Sequence, residues 1–253
     1  MNFSRRGVFQ AITAVTVSSA GYYPTGARAQ SPKPSSLLVS PMGPADDPEF
    51  GSIISGDSAG GQAVGTVASR HDEIRTAFKL ILQAPRGDEV IKTATYFADL
   101  AEKNKDGEKF NSEWKTRSNP LISGFFGMTG TAPADGDQTS WCAAFVSTCL
   151  FLSGKPNKFT ALSGGYRNFG EIAQNPVAGD IAVFAATGER GAKGFGHVGF
   201  FLRTEVKNNQ DGLILLGGNQ RGGTGTTGAV TEAWFPYQSD DLVIDSIRRI
   251  PGD

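Results

Sequence analysis

Cysteine, histidine and long apolar runs are all scarce in this chain. Its 253 residues include 2 cysteines and 2 histidines, namely Cys142, Cys149, His71 and His197. A structural zinc site takes about four such ligands, and the chain has no others to choose from, so we expect no bound metal. We expect no cofactor either. After the N-terminus no stretch approaches about 18 continuous apolar residues, so no transmembrane helix or stable membrane anchor is predicted.

The charge balance argues against a nucleic-acid-binding protein. There are 24 basic and 25 acidic residues. Removal of residues 1–29 takes away Arg5, Arg6 and Arg28 and no acidic residue, which leaves 21 basic against 25 acidic residues. An acidic protein without a basic, aromatic-rich patch is not expected to bind nucleic acid.

The first 29 residues have the pattern of an export signal. Two arginines in SRRGVFQ precede a weakly apolar stretch that ends in small residues near Ala29. Arg5 and Arg6, followed by Val8 and Phe9, resemble the twin-arginine export box, although an ordinary secretory signal is the alternative. We therefore expect the twin-arginine export machinery to handle the chain, and the mature protein to be periplasmic or secreted.

Three regions follow the signal. Residues 30–69 are rich in Ser, Pro and Gly without sustained periodicity, and they are predicted to be a disordered linker. Residues 70–118 contain two amphipathic runs separated by Pro85 and Gly87, which predict a helical hairpin. Residues 119–253 form a third region of mixed helix and strand pattern.

The last region has an α+β pattern. A helix is predicted from Ser140 to Leu152, ended by Gly154. Five strand-like runs come later in the chain and predict an antiparallel meander. They are IAVFA from Ile181, HVGFFLR from His197, GLILLGG from Gly212, AVTEAWF from Ala229 and LVIDSIRR from Leu242.

The two cysteines lie on the predicted helix, seven residues apart, in SWCAAFVSTCL. Seven helical residues rise about 10.5 Å, whereas the Cα atoms of a disulfide are at most about 6.8 Å apart, so the two cannot pair within one helix. Cys142 is placed in the first turn, after the possible caps Thr139 and Ser140, where the helix dipole favours a thiolate. Cys149 is interpreted as an inert buried residue in mid-helix.

A thiol nucleophile needs a base, and the base needs a group that orients it. His197 is the one histidine in the strand-rich region, at the start of a predicted strand. A hairpin turn centred at Asn208 would make Asn219 its cross-strand neighbour, with Cβ atoms about 4.5–5.5 Å apart. The Asn219 amide oxygen could then accept the ring N–H and direct the other nitrogen towards Cys142.

The motifs NP, WCAAFV, PVAGDIAVF, GHVGFF and LGGNQ occur in this order between Asn119 and Arg249. Together they resemble the papain-like bacterial wall hydrolases of the NlpC and CHAP superfamily, which are cysteine peptidases and amidases. The resemblance implies a papain-like core with the cysteine helix packed on an antiparallel sheet. It further implies that Cys142 is the nucleophile, His197 the base and Asn219 the polar third residue.

The resemblance also implies a substrate, the stem peptides of peptidoglycan, whose amide bonds would be hydrolysed through an acyl-enzyme. Two alternatives remain open at this stage. One is a catalytically inactive protein that binds the wall or a partner on the same scaffold, and the other is a secreted effector amidase. Asp135 and Asp137 in PADGDQ are interpreted as solvated turn carboxylates rather than as a calcium loop.

Overall fold

The computed structural model describes residues 69–87, 89–133, 135–221 and 227–252, all of which belong to one compact unit within residues 40–253. The predicted signal, residues 1–29, and all but the last residue of the predicted linker, 30–69, lie outside the described residues. Part of the glycine-rich segment after Gln220, residues 222–226, lies outside them too.

The described residues contain five α-helices, which are α1 (His71–Gln83), α2 (Val90–Ala98), α3 (Pro120–Phe126), α4 (Cys142–Leu152) and α5 (Gly188–Ala192). Single 3-10 turns lie at Gly127–Thr129, Gly136–Gln138 and Ser163–Tyr166. Local sequence accounts for the start of α3: Pro120 occupies the first helical position and the Asn119 side chain accepts a hydrogen bond from the Leu121 N–H.

The same residues contain six strands in one antiparallel sheet, namely β1 (Glu171–Ile172), β2 (Ile181–Ala186), β3 (Gly196–Lys207), β4 (Gln210–Gln220), β5 (Ala229–Pro236) and β6 (Leu242–Arg249). Their order across the sheet is β1-β6-β2-β3-β4-β5. The α+β class is therefore confirmed, and β2 to β5 form the predicted meander.

The last strand departs from the meander, because β6 pairs with β2 rather than with β5. Only five residues connect β5 to β6, with a bridge between Gln238 and Val243, so the sheet has to curl to bring these non-neighbouring strands together at one end. An ion pair between Asp180, which precedes β2, and Arg249 at the end of β6 fixes the pairing, with Nε 2.6 Å from Oδ1.

The two faces of the sheet bury different sets of side chains, as the two-residue period of a strand requires. Inside the curled sheet lies a small apolar cluster made by Ala182, Phe184, Phe201, Leu213 and Leu215, with Phe235, Leu242, Ile244 and Ile247 packed against it. The other face packs on the helices and forms the larger cluster. Helix α4 is at the centre of that cluster, and nearly all of its residues are buried.

Both helices predicted between residues 70 and 118 are present as α1 and α2. Helix α1 packs against α3, whereas α2 packs against α4, β4 and β5. The Tyr96 hydroxyl of α2 donates to the Leu80 carbonyl of α1 at 3.0 Å. A buried ion pair between Glu73 and Arg117, which Asp106 extends, anchors α1 to the chain that leads into α3.

Candidate active site

Cys142 is the first residue of α4 and is almost fully buried. The helix was predicted to start at Ser140, but it starts two residues later. Trp141 is the N-cap and makes no side-chain capping bond, so the predicted cap from Thr139 or Ser140 is wrong. Instead, the Thr139 hydroxyl accepts a hydrogen bond from the Asp135 N–H, which folds the preceding turn. The placement of the thiol at a helix start is nevertheless as expected.

The electrostatic environment of the thiol differs from the expectation of a stabilised thiolate. Burial raises the pKa of Cys142, and this effect outweighs the backbone N–H groups of Val198, Ala143 and Cys142 itself, which act in the opposite direction. The free backbone N–H groups at the helix start are present as predicted, but desolvation dominates. In the resting structure Cys142 is therefore a neutral thiol. The Val198 contact places its sulfur beside the residue that follows His197.

His197 is the second residue of β3, and its ring is enclosed. It stacks on Phe235 with ring centroids 4.7 Å apart and an interplanar angle of 15°. Burial lowers the pKa of His197 to about 4, since the imidazolium ion would lose its hydration there. His197 is therefore neutral near pH 7, which is the protonation state that a general base requires.

The group that orients His197 is Gln220, and this corrects the prediction of Asn219. The Gln220 carboxamide lies 3.0 Å from the ring Nε2. With its oxygen facing the ring, it accepts the Nε2 proton and donates to the carbonyls of Leu215 (3.2 Å) and Thr231 (2.7 Å). This orientation satisfies every polar atom of the buried side chain. It keeps the proton on Nε2 and leaves Nδ1 as the basic nitrogen.

A β-bulge explains why the side chain of Gln220, and not that of Asn219, faces His197. The strand register that the sequence predicted is confirmed at Phe200, which pairs with Leu216. Further along β4 the pairing with β5 shifts between Gly217 and Gln220, and Asn219 adopts a left-handed φ of 56°. The extra residue reverses the alternation of side chains, so Gln220 takes the face that a regular strand would give to Asn219. The Asn219 side chain instead approaches Gly228.

Two glycines make room for Gln220 inside the curled sheet. A Cβ on Gly217 would overlap the atom of the Gln220 carboxamide that faces His197, and it would lie 3.2 Å from its Cδ. A Cβ on Gly199, on the neighbouring strand, would lie 3.1 Å from the same carboxamide atom. The glycines of GHVGFF and LGGNQ thus form the slot that holds the carboxamide against His197.

A cleft of about 390 Å³ opens at Cys142. Its lining residues come from the turn before α4, the 3-10 turn at Ser163, the loop between β2 and β3, and the start of β6. They are Ser140, Cys142, Ala161, Leu162, Ser163, Ala186, Thr187, Arg190, Phe195, Gly196, Asp241 and Leu242. Because Gly196 directly precedes His197, the cleft runs between the helix start that carries the thiol and the strand end that carries the imidazole.

Two acidic residues near the site were not identified from the sequence as supports. Glu113 accepts hydrogen bonds from Trp141 Nε1 (3.1 Å) and the Gly228 N–H (2.7 Å), which joins the helix start to β5. Asp137 is fully buried, so its interpretation as a solvated carboxylate is wrong. It accepts from the N–H groups of Trp114 and Asn119, both at 2.9 Å, and burial raises its pKa to about 6. No sequence spacing marks either role.

The second cysteine, Cys149, lies in the interior of α4. Cys149 is fully buried, and burial raises its pKa well above the usual value. Both cysteines are free thiols. In the described ranges no group of three or more His, Cys, Asp or Glu side chains could hold a metal ion. Those ranges also contain no helix long and apolar enough to cross a membrane.

Comparison with known proteins found a family model that matches part of this region. The family model of the CHAP domain matches residues 134–219, a span that contains both Cys142 and His197. CHAP domains are cysteine peptidases and amidases associated with peptidoglycan hydrolases, so the resemblance inferred from the motifs is confirmed. No curated protein matches the chain. No solved structure matches it either.

Proposed function

We propose that this protein is an exported cysteine peptidase or amidase that hydrolyses amide bonds in peptidoglycan peptides. The observation that carries the proposal is the thiol of Cys142 at a helix start, open to a cleft and bonded by the backbone of Val198, which directly follows the histidine that Gln220 orients. The CHAP match supports a peptidoglycan-related amidase or peptidase function at a coarser level.

In the proposed reaction, His197 Nδ1 takes the thiol proton of Cys142 as the sulfur attacks the substrate carbonyl carbon. A direct proton transfer suits this pair, because burial keeps both groups neutral before attack. The backbone N–H of Cys142 is suited to stabilise the tetrahedral oxyanion. The imidazolium then returns its proton to the leaving amine, and water releases the acyl group from sulfur with His197 again as base.

Gln220 acts in this proposal as a positioning residue. Its oxygen holds the Nε2 proton and stabilises the imidazolium that forms during attack. It therefore has the role that the family resemblance gave to Asn219.

The direct test is incubation of the purified protein with peptidoglycan, followed by mass analysis of the released fragments. The wild type should release peptide fragments, and Cys142→Ser should release none while keeping the native unfolding transition. Cys149→Ser is the matched control, since it changes the other buried thiol of the same helix and should leave the fragments unchanged. Fragments from Cys142→Ser would contradict the assignment.

Export forms the other part of the proposal. It rests on Arg5 and Arg6 in SRRGVFQ, which lie outside the described residues. Replacement of both arginines with lysine should retain the chain in the cytoplasm if the twin-arginine machinery carries it. Export that survives this change, in cells without that machinery, would instead indicate an ordinary secretory signal.

A further inference from the structure

The cleft at Cys142 has two charged residues in its lining, Arg190 and Asp241. Both side chains are exposed. Within the part of the chain that the structure describes, neither takes part in an ion pair, so each charge is available to a ligand. The other lining residues are uncharged, which means that these two set the electrostatic selectivity of the cleft.

Arg190 is held towards the cleft by Phe195. The guanidinium carbon lies 5.1 Å from the centroid of the Phe195 ring, within the range of a cation–π contact. The Phe195 N–H also donates to the Arg190 carbonyl at 3.0 Å, which closes the loop between the two residues. A guanidinium resting on an aromatic ring keeps its N–H edge free for a planar acceptor such as a carboxylate.

The segment between β2 and β3, which contains Arg190 in the short helix α5, is tightly folded. A Cβ on Gly191 would overlap the Ala186 carbonyl oxygen, so only glycine fits there. The Gly191 carbonyl accepts from Arg167 Nη2 at 2.7 Å. The Gly194 carbonyl accepts from the Gly164 N–H at 2.9 Å. These bonds fix the loop against the chain next to Ser163, and Arg190 is thereby preorganised.

Asp241 is tied to the same loop through Thr187. The Thr187 N–H donates to the Asp241 carbonyl at 3.0 Å, and the Thr187 hydroxyl donates to the Asp240 carbonyl at 2.8 Å. The turn between β5 and β6 is therefore joined to the start of the Arg190 loop. One cation and one anion are thus presented on linked segments, beside a single nucleophile.

We propose that Arg190 and Asp241 determine specificity, so that the preferred substrate is a peptide with a free carboxylate and a free ammonium group near the amide that Cys142 attacks. Arg190 binds the carboxylate and Asp241 binds the ammonium group. This inference rests on the proposed hydrolase function and specifies its substrate class. Peptides that carry both charged groups near the attacked amide are expected to be better substrates than neutral peptides.

The test uses synthetic peptides that differ in one group only. One pair exchanges the carboxylate for a carboxamide, and a second pair exchanges the amine for its N-acetyl form. The wild type should show a higher kcat/KM for the charged member of each pair. Arg190→Gln should lower the carboxylate-to-carboxamide ratio about 10- to 100-fold, as expected for a lost charge-assisted hydrogen bond. Asp241→Asn should lower the ammonium-to-acetyl ratio in the same way.

Arg86→Gln is the matched control, because Arg86 is exposed and far in sequence from the cleft residues. It should leave both ratios unchanged. If Arg190→Gln lowers kcat/KM equally for all peptides, or changes neither ratio, the inference is wrong.

A binding measurement separates this inference from the hydrolase proposal. Calorimetric titration of the Cys142→Ser protein with the same peptides should show tighter binding of the charged members, and the preference should disappear when Arg190→Gln or Asp241→Asn is added. Selective binding without hydrolysis by the wild type would overturn the hydrolase proposal, and with it the substrate assignment, while showing that Arg190 and Asp241 recognise the charged groups. Hydrolysis without any charge preference would support the hydrolase proposal and overturn this inference. If the protein neither binds nor hydrolyses these peptides, both proposals are overturned.

Discussion

The slot that holds Gln220 can be tested by adding one methyl group. In Gly217→Ala the new Cβ would overlap the Gln220 carboxamide, which is buried and hydrogen-bonded to Leu215, Thr231 and His197. We expect the carboxamide to leave its position. His197 then loses the acceptor that keeps its proton on Nε2.

The magnitude follows from the bonds that Gln220 makes. Displacement breaks up to three hydrogen bonds, one to His197 Nε2 and two to backbone carbonyls. At about 0.5–1.5 kcal/mol each, the free energy of unfolding should fall by about 2–4 kcal/mol. Loss of the group that orients the histidine should lower kcat/KM by about 10- to 100-fold, by analogy with the partners that orient metal-bound histidines.

Urea unfolding and peptide hydrolysis measure the two effects. Gly127→Ala is the control, because no atom lies within 4 Å of its added Cβ, and it should change stability by less than about 0.5 kcal/mol. In a Gln220→Ala background, Gly217→Ala should cost at least about 1 kcal/mol less than in the wild type, as expected for coupled neighbours. Equal costs in the two backgrounds would refute the reasoning.

Three further predictions follow from burial. First, burial lowers the pKa of His197 to about 4, so the acid limb of kcat/KM should fall near pH 4, and a midpoint above pH 6 would contradict the enclosed ring. This folded-state pKa is below the unfolded value of 6.5, so the contribution of the neutral His197 to the free energy of unfolding is fully present above about pH 6.5. The free energy of unfolding should fall by about 3 kcal/mol as the pH falls towards 4. Chemical unfolding of His197→Gln should show a weaker dependence of this free energy on pH. Second, Glu73→Gln leaves the buried Arg117 without its main partner, so urea unfolding should show a loss of about 3 kcal/mol, and a loss below about 0.5 kcal/mol would indicate that the pair is solvated. Third, iodoacetamide should modify Cys142, which lines the cleft, before Cys149, which is fully buried, and equal rates in the native protein would be inconsistent with this packing.

Local rules predicted much of the chain from the sequence alone. Apolar periodicity identified the helix of Cys142, the two helices before it and the five strands from Ile181 onwards, because the spacing of buried side chains is a property of each element. The hairpin between β3 and β4 was found in the same way. Its turn lies at Asn208 and Asn209, which both have positive φ angles, and it pairs Lys207 with Gln210. A register shift between Phe201 and Arg203 then brings Phe200 opposite Leu216.

The orienting group of His197 was decided by the tertiary structure. Asparagine tolerates a left-handed conformation, but the sequence does not show that Asn219 adopts it, because the bulge depends on how β4 pairs with β5. The tertiary structure also decided the protonation states of the Cys142 thiol and the His197 ring. Burial of Cys142 and His197 depends on Phe235, β3 and the helices that close around them, and none of these contacts is visible from spacing.

The sequence by itself thus determined which residue types carry the chemistry and where they lie along each helix and strand. Only the tertiary structure decided that β6 returns to β2, that Gln220 rather than Asn219 faces the imidazole, and that Arg190 and Asp241 share a cleft with Cys142. The physical reason is that side-chain periodicity is fixed within a segment, whereas strand order, bulges and desolvation arise from contacts between segments distant in the chain.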